Sequence, residues 1–177
     1  MKFDFKKIIR IAFTLMLVAG LSGVLIVLLN NYVTAERIAQ NEIDKENKAL
    51  EAIYSNCDYE VLEENSSNSI LKITKATKSN EFMGYIYKVT GKNAYGTITL
   101  MLGIDPSGVV SNIVMIENTE SFKSTVDEHF EANYKEDDMN QDYINGIDTK
   151  CGATYGAKLL KSLVSDALTH YNENYGG

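Results

Sequence analysis

The chain is poor in side chains that bind metals: two cysteines and two histidines in 177 residues. Cys57 and Cys151 lie far apart, and His129 and His170 form no cluster with them. No zinc-type spacing exists. The cysteines read as unpaired thiols, with a single disulfide left open for a domain that faces an oxidising space. Positive charge is also short, with 17 Lys and Arg against 24 Asp and Glu, a net charge of −7. Residues 1–30 hold Lys2, Lys6, Lys7 and Arg10 against Asp4 and so carry +3, which leaves −10 on the remainder of a chain totalling −7. A domain that acidic is repelled by a phosphate backbone, so nucleic acid is excluded as a partner. The acidic run Glu136-Asp137-Asp138 lacks the alternation of a calcium loop and reads as a solvated turn. No metal is expected. Internal repeats and low-complexity tracts are absent, which excludes a repeat architecture.

Long apolar runs occur in one place. Ile11 to Leu29 is broken only by Thr14, Ser22 and two glycines. At 1.5 Å per residue such a helix is about 28 Å long, close to the ~30 Å hydrocarbon core of a bilayer. Four cations precede it and mixed charges follow, so the positive-inside rule puts the N-terminus in the cytoplasm and residues 31–177 outside. The run exceeds the ~7–15 residues of a signal-peptide core. It therefore reads as a retained anchor, with a cleavage site at Val33-Thr34-Ala35 as the rival. Ala19 and Gly23 form a small-residue pair that would admit a neighbouring helix.

Beyond the anchor the pattern is α+β. Residues 35–54 are rich in helix formers, with Ile38, Ile43, Leu50 and Ile53 near one stripe. Strand-like runs follow at 59–62, 70–74, 82–89, 96–104 and 109–116. The last two flank Asp105-Pro106-Ser107-Gly108, a type I turn signature holding the chain's one proline. A helix is expected over 121–134, with Phe122, Val126 and Phe130 on one face, then a polar loop over 135–141. A final helix begins near Thr154, its apolar stripe running from Leu159 to Tyr171. The expected architecture is an antiparallel sheet with packed helices. The expected division is 1–30 as cytoplasmic N-terminus and anchor, 31–57 as linker helix and 58–177 as the outer domain.

The candidate site is Asp148-Thr149-Lys150-Cys151-Gly152-Ala153-Thr154-Tyr155-Gly156. It places a hydroxyl after two small residues at the start of an amphipathic helix. The first amides of a helix lack internal partners and its dipole favours anions, so a phosphate is easily held there. The amides of residues 154–157 are the expected donors, with Lys150 or Lys158 adding charge. Asp148 is expected to position the hydroxyl or bind a metal during modification. The plain alternative is an ordinary helix start with Thr154 as N-cap. Tyr155, Tyr95 and Tyr85 are candidates to line a ring, although packing is the default for each. His129 is expected on the surface.

The segment resembles the flavinylation motif of the FMN-binding domain family, in which a threonine is esterified to the phosphate of FMN. The wider chain is similar to the G subunits of Rnf complexes, membrane-bound ferredoxin:NAD oxidoreductases. It is more distantly similar to the C subunits of sodium-pumping NADH:quinone reductases. The likeness runs in order through Phe13-Thr14-Leu15, Asn31, Thr34, Ala35 and Ile38, then Gly91 to Gly96, Met101 to Asp105 with Gly108, and Asp148 to Thr154. It implies covalent FMN on Thr154, with Asp148, Cys151, Gly152, Ala153 and Tyr155 around it. It also implies a flavin transferase for maturation, and a place among the other membrane subunits of an ion-translocating complex. The family's Glu-Thr-Pro-Gly-Leu-Gly loop, which lies near the flavin, aligns with Glu120-Ser121-Phe122-Lys123-Ser124-Thr125. This chain departs from the family there, at Cys151 and at Gly156, where the family usually has Ser or Thr. A stand-alone tethered flavoprotein and a structural module without flavin are the other readings.

Overall fold

A computed structural model describes residues 5–136 and 139–176, without the side chains of residues 5 and 31–35. The side chains of Asn31 and of the proposed cleavage site at 33–35, and the Asp137-Asp138 pair, lie outside what is described.

One helix, α1 (Phe5–Ile53), takes in the whole apolar run and the helix expected after it. Nothing in its interior breaks it, since no proline occurs there. Its segment Lys6–Asn30 is long and apolar enough to cross a membrane, and its apolar side chains are exposed. The chain divides into two compact units, Met1–Asp44 and Lys45–Gly177. The second unit carries the candidate site.

Five strands make one antiparallel meander: β1 (Asp58–Glu64), β2 (Ile70–Lys78), β3 (Glu81–Lys92), β4 (Thr97–Ile104) and β5 (Val110–Asn118), in that spatial order. Each expected strand exists, and most extend beyond the apolar run that signalled them. The β4–β5 turn is as expected: the Gly108 amide donates to the Asp105 carbonyl at 3.0 Å, and Gly108 has φ +81°. Asp105 Oδ1 also accepts from the Ser107 and Val109 amides, which locks the turn.

Strand alternation separates two apolar faces. On β4, Ile98, Leu100, Leu102 and Ile104 face one core, and Met101 faces another. The first core is closed by α2 (Lys123–Asn133), α3 (Gln141–Gly146) and α4 (Thr154–Asn174). Short α3, capped where the Asn140 side chain accepts from the Tyr143 amide, lies where a loop was expected to end. The second core is covered by the end of α1 through Ala49, Leu50, Ile53 and neighbouring Tyr54. Residues from Lys45 onward thus belong to the same compact unit as the sheet, with Ala49, Leu50 and Ile53 in its core. Gly103 admits them, because a Cβ there would meet Ile53 at 2.4 Å.

Glu46 pins this helix end to the sheet. Its carboxylate takes Lys72 Nζ at 2.5 Å and Lys88 Nζ at 2.7 Å. Burial pushes its pKa up, but the two ammonium hydrogen bonds and charges outweigh that and hold it below the ordinary value. A depressed carboxylate stabilises the fold above its unfolded pKa and loses that contribution as pH falls through its folded pKa. Glu46→Gln should therefore cost about 1–3 kcal/mol at neutral pH. Thermal melts of variant and wild type should converge as the buffer is taken to acid below the carboxylate range.

Candidate functional site

Three loops converge at the start of α4. The first is the turn 93–96 between β3 and β4, the second is 119–122 between β5 and α2, and the third is 148–153. Together they make an open cleft of about 230 Å³ lined by Tyr95, Glu120, Phe122 and residues 152–156. That is at the small end of the ~300–1,000 Å³ of ligand sites, so a bound group would stand partly outside it.

Asn93 organises the floor. Its Oδ1 accepts from the amides of Tyr95 (2.7 Å) and Gly96 (3.1 Å), and its Nδ2 donates to Glu120 Oε1 at 2.5 Å. Ser121 ties the second loop to the first, since its amide and its hydroxyl both donate to the Tyr95 carbonyl. Gly96 permits the approach: a Cβ there would sit 2.5 Å from the Thr119 carbonyl oxygen and 2.6 Å from Glu120 Cα. Glu120 is therefore buried, 5 % exposed, beneath a rim of exposed aromatics. Tyr95, Phe122 and Tyr155 are 43 %, 57 % and 62 % exposed, and the Tyr95 and Tyr155 rings lie 5.3 Å apart.

Thr154 is not the N-cap. Ala153 holds that position with no side-chain capping bond, and Thr154 is the first helical residue. Its hydroxyl makes no hydrogen bond among the described residues, and its side chain is half-buried in the cleft wall. The Ala157 amide bonds the Ala153 carbonyl at 3.0 Å and is not available. That leaves the amides of Thr154, Tyr155 and Gly156 without partners among the described residues, three donors rather than the four expected. Gly152, at φ +80°, turns the chain into the helix with a backbone that side chains rarely adopt.

Gly156 has a packing reason. A Cβ would come within 2.5 Å of Val126 Cγ2 on α2 and 3.4 Å from the Glu120 carboxyl carbon. The α2–α4 contact and the seat of Glu120 both need a glycine there.

Other expected residues fall away from the cleft. Asp148 is exposed, accepts from the Lys150 amide at 3.0 Å and borders a separate depression with Asp142 and Tyr143. Cys151 packs half-buried against the core, and both cysteines are free thiols. Lys150 and Lys158 are exposed and do not line the cleft. Tyr85 packs with Phe82, Tyr171 and Tyr175 at the far end of α4. His129 is not on the surface. It is 7 % exposed, its Nε2 has no partner among the described residues, and burial pushes its pKa down against the pull of Asp148. Phe122, expected on the buried stripe of α2, is instead exposed at its N-cap. No cluster able to hold a metal exists among the described residues.

Two site residues were missed in the sequence. Asn93 carried a signal, since Asn three residues before Gly is turn chemistry. Phe122 stood in the 120–125 segment already singled out, but its helical spacing matched a core position.

No protein-family model matches this chain, and no curated protein matches it.

Replacing Gly156 by Ser should destabilise the domain by about 1–3 kcal/mol, as overpacking does. Denaturant unfolding measures this. The same variant with Val126→Ala should recover much of the loss, because the clashing methyl is gone.

Proposed function

We propose that the protein is a membrane-anchored electron carrier bearing FMN on Thr154 through a phosphoester. The observation that carries this reading is the hydroxyl of Thr154. It is unbonded, stands at the first turn of a helix beside three unpartnered amides, and opens into a cleft rimmed by three exposed aromatic rings. An ordinary helix start would use that hydroxyl as its cap, and this one does not.

The residues present suit the group. The amides of Thr154, Tyr155 and Gly156 are donors for phosphate oxygens, and the helix dipole adds to them. Tyr95, Phe122 and Tyr155 offer apolar faces for a planar ring. Gly152 and Ala153 keep side-chain bulk away from the hydroxyl. The bound flavin would supply the redox chemistry, and the protein would supply attachment, orientation and a local field. Attachment would form the bond from Thr154 Oγ1 to the flavin phosphorus as a flavin transferase breaks the phosphoanhydride bond of an activated flavin diphosphate donor, the hydroxyl proton and the donor's second phosphate leaving together, so that the peptide gains FMN less one water.

In this reading Lys6–Asn30 spans the membrane. Lys6, Lys7 and Arg10 hold the N-terminus in the cytoplasm, and the sheet domain works on the outer face. The protein then serves as the G-type subunit of an Rnf-like ion-translocating complex, exchanging electrons with neighbouring membrane subunits. The colinear motifs from Phe13 to Thr154 support that placement.

Full-length protein co-expressed with a flavin transferase should show a fluorescent band on a denaturing gel. The peptide containing Thr154 should gain the mass of FMN less one water. Thr154→Ala should abolish both signals and leave the melting temperature nearly unchanged. An unmodified wild-type peptide refutes the assignment.

A further inference from the structure

The cleft has two chemically opposite ends. At the helix start, three amides offer donors. At the floor lies a carboxylate 5 % exposed. Asn93 Nδ2 occupies Glu120 Oε1. No described residue donates to Oε2, yet that atom is not among the sealed polar atoms lacking a partner. With Glu120 lining the cleft, its second oxygen opens into it. That oxygen is an acceptor that a donor seated in the cleft beneath the three rings can reach.

We infer that Glu120 reads the ring of the bound group: its open oxygen accepts the hydrogen bond of a ring N–H, while Tyr95, Phe122 and Tyr155 cover the ring faces. This rests on the reading of the cleft as a flavin site and adds how the ring is recognised. The polarity divides the ligand. A phosphate is repelled by Glu120, whose carboxyl carbon lies 3.4 Å from where a Gly156 Cβ would stand, and so is held toward the Thr154 side of the helix start. The oxidised flavin ring has a single N–H, which matches a single open acceptor. Asn93 is the positioning residue, because its amide is fixed by the 93–96 turn and can offer Glu120 only its NH₂. The carboxylate also sets the field. Electrons added to the ring meet a negative charge beside it, so the ring is harder to reduce.

The test uses full-length protein flavinylated in cells, as wild type, Glu120→Gln and Phe122→Ala. In Glu120→Gln the Asn93 NH₂ claims the amide oxygen, so the new NH₂ points where the acceptor was. The peptide mass at Thr154 is measured first. If wild type carries no flavin, the functional reading fails and this inference fails with it. With flavin present, Glu120→Gln should raise the midpoint potential by at least about tenfold in the reduction equilibrium, ~30 mV for a two-electron couple. The nitrogen resonance of the ring N–H should also move toward its weakly hydrogen-bonded position. An unchanged potential and resonance in a flavinylated Glu120→Gln protein overturn the inference and leave the attachment standing. Should Glu120→Gln fail to fold, Phe122→Ala decides, since its ring is exposed. Iodide quenching of the flavin should then rise above wild type, and equal quenching overturns the inference.

Discussion

The packing of the α4 stripe on the sheet is the constraint on which the site depends. Leu160, Leu163, Val164, Ala167 and Leu168 are buried against Leu100, Leu102 and their neighbours on one face of the meander. Each large apolar side chain buried this way contributes on the order of 1.5–3 kcal/mol. That rotation of the helix about its axis leaves Thr154 and Tyr155 open at its first turn while Gly156 and Ala157 point inward. A turn of the helix by two residues, about 200°, would exchange the two pairs.

Close approach then completes the cleft. Gly156 lets α4 meet Val126 and the Glu120 carboxyl, and Gly96 lets the β3–β4 turn meet the 119–120 backbone. At both places the absent side chain brings polar groups from distant segments together. The 93–96 turn, the buried carboxylate and the open hydroxyl become one site because backbone, not side chains, sets the spacing. The departures at Gly156 and Phe122 from the motif the chain resembles are accommodated in this way. The first is demanded by packing, and the second puts a third ring on the rim.

Much of the architecture was legible. The apolar run gave α1, short runs of apolar, aromatic and β-branched residues gave the strands, and Asp105-Pro106-Ser107-Gly108 gave its turn. The stripe of α4 was readable residue by residue, since a 3.6-residue period held over about three and a half turns has few alternatives. Short α3 was hidden because six residues carry too little periodicity to stand out. His129 was misplaced for a related reason. A polar residue beside Phe130 looks solvent-facing until α2 is known to be covered on that side, where His129 lies near Tyr134. Phe122 erred the other way, since matching spacing does not bury a residue at the helix mouth.

By itself the sequence determined the local facts: which segments are helix or strand, which faces are apolar, which run can cross a bilayer, and that a hydroxyl follows two small residues at a helix start. These depend on spacing along the chain, and spacing is what a sequence records. Only the tertiary structure decided that the Thr154 hydroxyl is free rather than capping, that Asp148 and Cys151 turn away, and that Asn93, Glu120 and three rings gather round it. Those facts depend on strand register and on close approach between distant residues such as Asn93 and Glu120, 27 positions apart, which no local period encodes.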